Sequence, residues 1–264
     1  MKYDKLAIAG AIAVAVSIST PIWWPSQVQG TNMSSFKRYP PEDFFSGAQL
    51  ELARAIRDDD LGRTKQLAST VDLSTMGEKH MTILAFAVQE TVPVKNDAGN
   101  VHYQIVSELV RQGAKPQQSF GLSNDNVAYI AARADSPNLL KALLVGDMSP
   151  DLRYDGDTPL LFAAADDNLL PQLRVLVENK ANVNIKDSLG NTAIFDATQM
   201  RQWDAVDYLL ANKADPTIVN ENDVTYAKVL SLQLAKTPKG SPQLDRIEAI
   251  RERIVSAGAK WPAA

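Results

Sequence analysis

The stretch Asp155-Gly-Asp-Thr-Pro-Leu-Leu-Phe-Ala-Ala164 decides the fold, because copies of it recur at a nearly fixed distance along the chain. The second copy is Leu189-Gly-Asn-Thr-Ala-Ile-Phe-Asp-Ala197, and its Thr192 lies 34 residues after Thr158. A third copy, Asn222-Asp-Val-Thr-Tyr-Ala227, places its threonine 33 residues further on. A repeat of this period is typical of solenoid proteins, which stack one small structural unit many times.

A second motif follows each of the first two copies, first as Val175-Leu-Val-Glu-Asn-Lys-Ala-Asn-Val-Asn184 and then as Tyr208-Leu-Leu-Ala-Asn-Lys-Ala-Asp-Pro216. On these residues the chain resembles the ankyrin-repeat family, whose unit of about 33 residues is a β-turn followed by two helices, with a Thr-Pro-Leu-His-x-Ala signature. The chain departs from the family at the signature histidine, where Leu161 and Phe195 stand. The resemblance implies an all-α ankyrin-repeat solenoid.

Weaker copies extend the resemblance over residues 46–260. They contain the same apolar spacing but fewer of the signature residues, so the fold class rests on the central copies. We predict about six helix–turn–helix units, with degenerate terminal copies acting as caps of the stack. The weaker copies occupy residues 46–73, 81–116 and 127–146, and the last one ends at residues 254–260.

The motif also predicts how each unit is held locally. Threonine in the turn is expected to cap the first helix, and Pro159 suits the first position of that helix. Gly113 and Gly258 fit the position after the second helix, where glycine adopts the left-handed backbone at little cost. Acidic clusters at residues 58–60 and 166–168 lie between the two helices of their units, so we interpret them as helix caps and not as a metal site.

The first thirty residues have the layout of an export signal. A short basic start precedes residues 6–24, which contain no charged side chain. An uncleaved membrane anchor, a signal cleaved near Ser17-Ile-Ser19, and a buried helix of the domain are all open at this point. We divide the chain into a signal or anchor at residues 1–30, a linker at 31–45, the repeat domain at 46–260 and a tail at 261–264.

Composition excludes several classes of function. The chain has no cysteine, so thiol chemistry and zinc–thiolate sites are impossible. A net charge of −4 with scattered Lys and Arg argues against binding to nucleic acid. Only two histidines are present, His80 and His102, and we interpret both as surface residues. We therefore predict no catalytic site, no metal site and no cofactor.

The resemblance to ankyrin proteins implies that a partner protein is bound by the turn tips and by the first helix of each unit. Two insertions, at residues 91–102 and 236–242, fall between the helices of their units and are either drift or an elaborated contact surface. The apolar members of the predicted site could equally belong to the core. The predicted partner-binding residues are Phe86, Gln89, Asn96, Asp97, Asn100, Ile130, Arg133, Arg153, Tyr154, Phe162, Asp187, Ser188, Asp196, Gln199, Asn220 and Glu221.

An exported, acidic ankyrin stack without an enzyme motif resembles the periplasmic immunity proteins of bacterial toxin-delivery (type VI secretion) systems. That resemblance implies a monomer, tethered to the inner membrane or soluble in the periplasm after cleavage, that neutralises a secreted toxin or lipase effector such as a phospholipase. The alternative is a periplasmic structural protein or one that protects against oxidative stress. Both expectations rest on analogy of architecture and not on particular residues.

Overall fold

The computed structural model describes residues 39–91, 100–121 and 125–262. The hydrophobic segment predicted at residues 6–24 lies outside this part. Among the described helices, none is both long and apolar enough to cross a membrane.

Within the described ranges, twelve α-helices follow one another as six consecutive pairs, which we call units 1 to 6. The helices are α1 Gly47–Arg57, α2 Leu61–Ala68, α3 Ile83–Thr91, α4 Val101–Arg111, α5 Val127–Arg133, α6 Asn138–Val145, α7 Leu160–Asp166, α8 Leu170–Glu178, α9 Ala193–Gln199, α10 Trp203–Ala211, α11 Tyr226–Lys236 and α12 Pro242–Ser256.

The units stack in a row. The first helices contact one another in the order α1, α3, α5, α7, α9 and α11, and the second helices do so from α2 through α4, α6 and α8 to α10. Each second helix also packs on the first helix of its own unit. This layered arrangement of six helix pairs confirms the predicted solenoid, in which each unit is stabilised mainly by its neighbours.

The core runs through the whole stack between the two layers of helices. Leu176 and Leu209 of the second helices are fully buried, and Ala164 and Ala197 of the first helices are buried where neighbouring units meet. Small side chains at these positions allow the helices to pack closely. The aromatic side chains at residues 44 and 45 are also buried, against Phe86. The packed domain therefore includes residues 41–45, which the sequence analysis assigned to the linker.

The fold is mostly helical rather than purely so. Two short antiparallel strands, β1 Ser119–Phe120 and β2 Asp125–Asn126, pair in the turn before unit 3. Single antiparallel bridges join Arg153 to Pro159 and Val219 to Thr225 in two later turns. The expectation of an all-α chain is corrected in this respect, because the turns between units are small hairpins with their own backbone pairing.

The threonines of the turns do not all cap helices as predicted. The Thr82 hydroxyl accepts a hydrogen bond from the backbone N–H of Ala85 at 3.1 Å, and Thr225 accepts one from Lys228 at 3.2 Å. The Thr158 hydroxyl instead donates to Asp155 Oδ2 at 2.8 Å. The Thr192 hydroxyl is buried without a hydrogen-bond partner. The capping prediction is thus confirmed at the two less typical copies and wrong at the two most typical ones.

The residues after the second helices behave as the motif predicts. Gly113 and Gly258 have φ values of 107° and 98°, and Lys180 and Lys213 take the same left-handed position at 73° and 71°. Asp60 caps α2 through the N–H of Arg63 at 2.8 Å, as expected for the first acidic cluster. In the second cluster Asn168 departs from the expectation: it accepts from the N–H of Ala205 at 3.1 Å and so joins unit 4 to unit 5.

Candidate protein-binding face

The turns before units 4, 5 and 6 are each organised by one side chain at the start of the turn. Asp155 Oδ1 accepts hydrogen bonds from the N–H groups of Asp157 and Thr158 at 3.0 and 2.6 Å. Asp187 Oδ1 accepts from Leu189 and Asn191 at 2.9 and 2.8 Å. Asn220 Oδ1 accepts hydrogen bonds from the N–H groups of Asn222 and Val224 in the next turn. Short carboxylate and amide side chains favour such turns because they replace backbone hydrogen bonds.

Neighbouring turns are also tied to one another. Arg153 donates to the carbonyl oxygen of Lys186 at 2.7 Å, and Asn220 donates to Asn191 Oδ1 at 2.8 Å. The N–H of Glu221 donates to the carbonyl of Leu189 at 2.9 Å. We call residues 153–158, 187–192 and 220–225 the turn row. These bonds make the turn row one continuous edge of the stack.

Close packing in the turn row explains why residue 190 is a glycine. Gly190 has a φ of 76°, and a Cβ at that residue would lie 2.9 Å from the backbone nitrogen of Glu221. Any other residue would therefore be strained in its backbone and would also push the next turn away. The outward side chains of Asp157, Ser188 and Glu221 are exposed, which leaves them available to a partner.

An aromatic and charged cluster lies beside the turn row at units 3 and 4. The rings of Tyr129 and Tyr154 stack with centroids 4.6 Å apart. The guanidinium of Arg133 lies 5.2 Å from the centroid of the Tyr129 ring and also donates to its hydroxyl. The same guanidinium forms an ion pair with Asp167 at 2.8 Å. Burial, followed by the nearby charge of Asp155, raises the pKa of Tyr154 to about 12, so its phenol is neutral at physiological pH.

Two partly buried carboxyl groups follow on the first helices of units 4 and 5. Burial, and then the negative charge of Asp167, raises the pKa of Asp166 to about 6. Burial, and then the charges of Asp166 and Asp187, raises the pKa of Asp196 to about 7. Desolvation disfavours the charged form of a carboxylate, and like charges add to that effect. This part of the face is therefore acidic and responsive to pH near neutrality.

Exposed apolar side chains of units 5 and 6 were missed by the sequence analysis. Met200, which directly follows α9, is 60% exposed, and Leu232 within α11 is 47% exposed. Leu189 and Val219 are exposed in the turns. The repeat position of Met200 could have indicated its exposure, because Met200 follows Thr192 by the same eight residues that separate Asp166 from Thr158.

The structure separates the predicted site residues into three groups. Phe86, Gln89 and Phe162 are buried at 0%, 1% and 1% exposure, so these side chains belong to the core and do not form an accessible stripe. Asn96 and Asp97 lie outside the described residues. Asn100 is partly exposed at the start of the second helix α4. The remaining predicted residues are exposed or partly exposed on the turn side or the first helices: Ile130, Arg133, Arg153, Tyr154, Asp187, Ser188, Asp196, Gln199, Asn220 and Glu221.

Three predicted surface residues have structural roles. Arg153 joins two turns through the carbonyl of Lys186, and Asn100 caps α4 through the N–H of His102 at 2.9 Å. His102 is only 7% exposed, and its Nδ1 lies 2.7 Å from Asp59 Oδ1. The prediction that His102 is a surface residue is wrong, because the loop between α1 and α2 packs on the start of α4. His80 is exposed, as predicted.

Within the described residues, no group of three or more His, Asp or Glu side chains is placed to hold a metal ion. The family model for ankyrin repeats, in three copies, matches residues 84–187 and 128–220, which together span more than half of the chain. This chain belongs to the ankyrin-repeat family. Ankyrin repeats are protein-interaction modules, so the exposed turn row and first helices form a candidate surface for a partner protein.

Individual proteins are similar to parts of this ankyrin chain. Ankyrin repeat and SAM domain-containing protein 6 of Rattus norvegicus is 42% identical over 72 residues, which cover 27% of this chain and only 8% of that protein. The ankyrin repeat domain of Bcl-3, a member of the IκB protein family, has a TM-score of 0.56 at 20% identity over 80% of this chain and 86% of that one. This likeness shows the shared fold.

A further solved structure contains an immunity protein. It is the complex of the predatory endopeptidase Bd0816 from Bdellovibrio bacteriovorus with immunity protein Bd3460. The TM-score is 0.48 at 22% identity, over 75% of this chain and 97% of that one.

Proposed function

We propose that this ankyrin protein is an exported immunity protein that binds a toxic effector, such as a phospholipase, and blocks access to the effector's active site. The observation that carries the proposal is the turn row. Its turns are fixed to one another by hydrogen bonds, while Asp157, Ser188 and Glu221 have exposed side chains that are not needed to hold the turns. A rigid edge loses little conformational freedom when it binds, which favours tight occlusion.

The charge of the face indicates what kind of surface it would meet. Asp157, Asp187 and Glu221 lie along the turn row, and Arg153, a basic group of the same row, already bonds to turn carbonyls. A partner with a basic or mixed surface would associate faster with such a face, because opposite charges steer the encounter. The mouth of a toxin's active site with a basic rim would fit this description.

The proposal includes export to the bacterial periplasm through residues 1–30, as an inner-membrane anchor or a cleaved signal. Fusing these residues to a reporter that is active only outside the cytoplasm is expected to give activity. A full-length mass in the membrane fraction would identify the anchor, and a shorter soluble form would identify cleavage. A silent reporter together with native protein in the cytosol would overturn the export part of the proposal.

The binding part is tested by affinity capture with the full chain from envelope extract. One variant, Ser188→Trp with Glu221→Arg, changes exposed turn residues, and a matched control, Lys141→Trp with Glu178→Arg, places the same residues on exposed positions of α6 and α8. We expect the wild type and the control to enrich one protein and the turn variant to lose it. Truncating or blocking a central contact typically costs about 2 kcal/mol or more.

Capture alone does not establish immunity, so the captured protein is then assayed for toxicity and for hydrolytic activity. Stoichiometric addition of the full ankyrin chain is expected to suppress that activity, whereas the turn variant is not. If nothing is enriched, or if the captured protein is equally active with and without the ankyrin chain, the immunity proposal fails. Sensitivity of a deletion strain to peroxide alone would favour the stress-protective alternative.

A further inference from the structure

A cavity of about 480 Å³ opens beside the turn row between units 3 and 4. Its lining consists of the strand residues Ser119, Asp125 and Asn126 together with Tyr129, Tyr154 and Asp155. Asn126 joins unit 3 to the turn of unit 4, because its side chain accepts from the N–H of Tyr129 at 2.9 Å and donates to the carbonyl of Tyr154 at 2.7 Å. A cavity of this volume is within the range of ligand pockets and can hold one long side chain of a partner.

The charge of the cavity is negative. Among its described lining residues there are two carboxyl groups, Asp125 and Asp155, and no basic side chain. Partial burial opposes ionisation of Asp155, but hydrogen bonds from the N–H and hydroxyl of Thr158 and from the N–H of Asp157 hold the pKa of Asp155 below its usual value. Asp155 is therefore ionised at neutral pH, and the neutral phenol of Tyr154 adds no charge of its own.

The aromatic lining suits a cation as well. Electron-rich ring faces attract guanidinium and ammonium groups within about 6 Å of the ring centroid. Tyr129 already has one such neighbour, since the guanidinium of Arg133 lies 5.2 Å from its centroid. That resident cation is paired outside the cavity with Asp167 at 2.8 Å. Because Arg133 covers one face of the Tyr129 ring and Tyr154 stacks on the other, an inserted cation would contact the ring of Tyr154.

We infer that this cavity, lined by Tyr129, Tyr154, Asp125 and Asp155, binds an arginine or lysine side chain that a partner protein inserts beside the turn row. The inference rests on the proposed function for the existence of a partner, and it adds the chemistry of the partner's central contact. The carboxylates would attract the inserted cation, and the ring of Tyr154 would pack on its aliphatic stem and charged group. Arginine is among the residues most enriched at the centres of interfaces.

The cavity is tested with capped tripeptides and the full chain in neutral-detergent micelles. The probe is acetyl-Gly-Arg-Gly-amide, its lysine counterpart is a second probe, and acetyl-Gly-Gln-Gly-amide is the neutral control. The seven tyrosines are labelled as 3-fluorotyrosine and observed by ¹⁹F NMR. Resonances of Tyr129 and Tyr154 are assigned by their single replacement with phenylalanine. We expect the basic peptides to shift these two resonances in a saturable way and the neutral peptide to leave them in place.

Two variants locate the effect. Asp125→Asn with Asp155→Asn removes both charges from the cavity, while the amide oxygen of the substituted side chain at position 155 can still accept the turn's N–H bonds. Asp157→Asn removes one charge from the same turn outside the cavity lining and serves as the control. We expect the double variant to weaken binding of the arginine peptide about tenfold or more, which corresponds to about 1.4 kcal/mol. The control should change it less than about twofold.

The outcomes separate this inference from the proposed function. Equal shifts with the neutral peptide, or equal weakening by Asp157→Asn and by the double variant, would overturn the cationic cavity. Immunity could still hold in that case, because envelope capture and suppression of toxin activity do not use the peptides. Conversely, a cavity that binds the arginine peptide in a chain that captures no effector would leave the cavity standing and refute the immunity role.

Discussion

Units 4 and 5 in the middle of the stack differ from units 2 and 6 in the way their turns are held. In units 2 and 6 the turn threonine, Thr82 or Thr225, caps the first helix directly. In units 4 and 5 the side chains of Asp155 and Asp187 collect the N–H groups of the turn, and Thr158 and Thr192 do not cap. The central turns are therefore held without a threonine cap, whereas the turn of unit 6 has both the Thr225 cap and the turn bonds to Asn220.

The same contrast appears in the acidic side chains eight residues after the turn threonine. Glu90 of unit 2 forms an ion pair with Arg57 at 3.0 Å. Asp166 of unit 4 forms no ion pair among the described residues, and its Oδ1 is buried without a hydrogen-bond partner. A buried polar group without partners costs free energy unless it gains them on binding or by protonation. The buried carboxyl group thus lowers the stability of the central units, and it contributes to the acidic face where the proposed partner binds.

The largest expected effect follows from removing the central turn's organising carboxylate. Asp187→Ala deletes the acceptor for the N–H groups of Leu189 and Asn191. Asn191 is buried. We expect the free energy of unfolding to fall by about 3 kcal/mol, because hydrogen bonds to charged groups are each worth about 1.5–3 kcal/mol. Chemical denaturation gives the value. Asp157→Ala, on an exposed side chain of the preceding turn, should change it by less than about 0.5 kcal/mol.

A second effect concerns pH in the central units. The pKa of Asp196 in the folded chain is about 7, above the reference value of 3.8 for the unfolded chain. The folded state therefore binds the proton more tightly, so the associated stability is complete below about pH 4 and is lost as pH rises through about 7. We expect Asp196→Asn to raise the free energy of unfolding at pH 8 by about 2 kcal/mol, since each pKa unit corresponds to about 1.4 kcal/mol and the group keeps some solvent.

Denaturation curves at about pH 5 and pH 8 check this prediction. The contribution of Asp196 to the free energy of unfolding should be larger at the lower pH in the wild type. Asp196→Asn should reduce the difference in free energy between the two pH values. Asp157→Asn, which removes an exposed carboxylate, should retain the wild-type profile. If Asp196→Asn and the wild type show the same dependence on pH, Asp196 is not protonated in the folded state and the acidic face is more hydrated than its burial indicates.

The smallest effect distinguishes the two kinds of turn most cleanly, because one substitution is made at equivalent positions. Thr225→Val removes a helix cap and should lower the free energy of unfolding by about 1 kcal/mol. Thr192→Val removes a buried hydroxyl that has no partner, so the free energy should stay constant or rise by up to about 1 kcal/mol. Thermal or chemical unfolding of both variants gives the sign of each change in the free energy of unfolding. The same loss at both positions would show that Thr192 caps its helix after all.

Most of the fold could be predicted because the repeat period and the signature fix the order of helices and turns. Gly113 and Gly258 were placed correctly, since a left-handed residue after a helix has a strong sequence signal. The role of Thr192 could not be predicted, because whether a threonine hydroxyl reaches a helix N–H depends on its side-chain rotamer, which the motif does not state. Phe86 and Phe162 show a similar limit: in a stack, the depth of a first-helix side chain depends on the neighbouring unit.

The site was less predictable than the fold. Tip residues such as Ser188 and Glu221 were found by matching family positions, whereas Met200 and Leu232 looked like ordinary helix residues. The cavity between units 3 and 4 depends on a short hairpin at Ser119–Phe120 and Asp125–Asn126, which carries no repeat signature. Sequence patterns describe each unit well, but the surface that units build together depends on how they pack.

The central claim is that a partner protein binds the turn row and the first helices, and hydrogen–deuterium exchange of the full chain with and without its captured partner tests it most directly. The account predicts slower exchange in residues 153–158, 187–192 and 220–225 and in α5, α7 and α9 when the partner is bound. Exchange in the second helices α6, α8 and α10 should be unchanged. Protection confined to those second helices, with the turn row exchanging as in the free chain, would contradict the account.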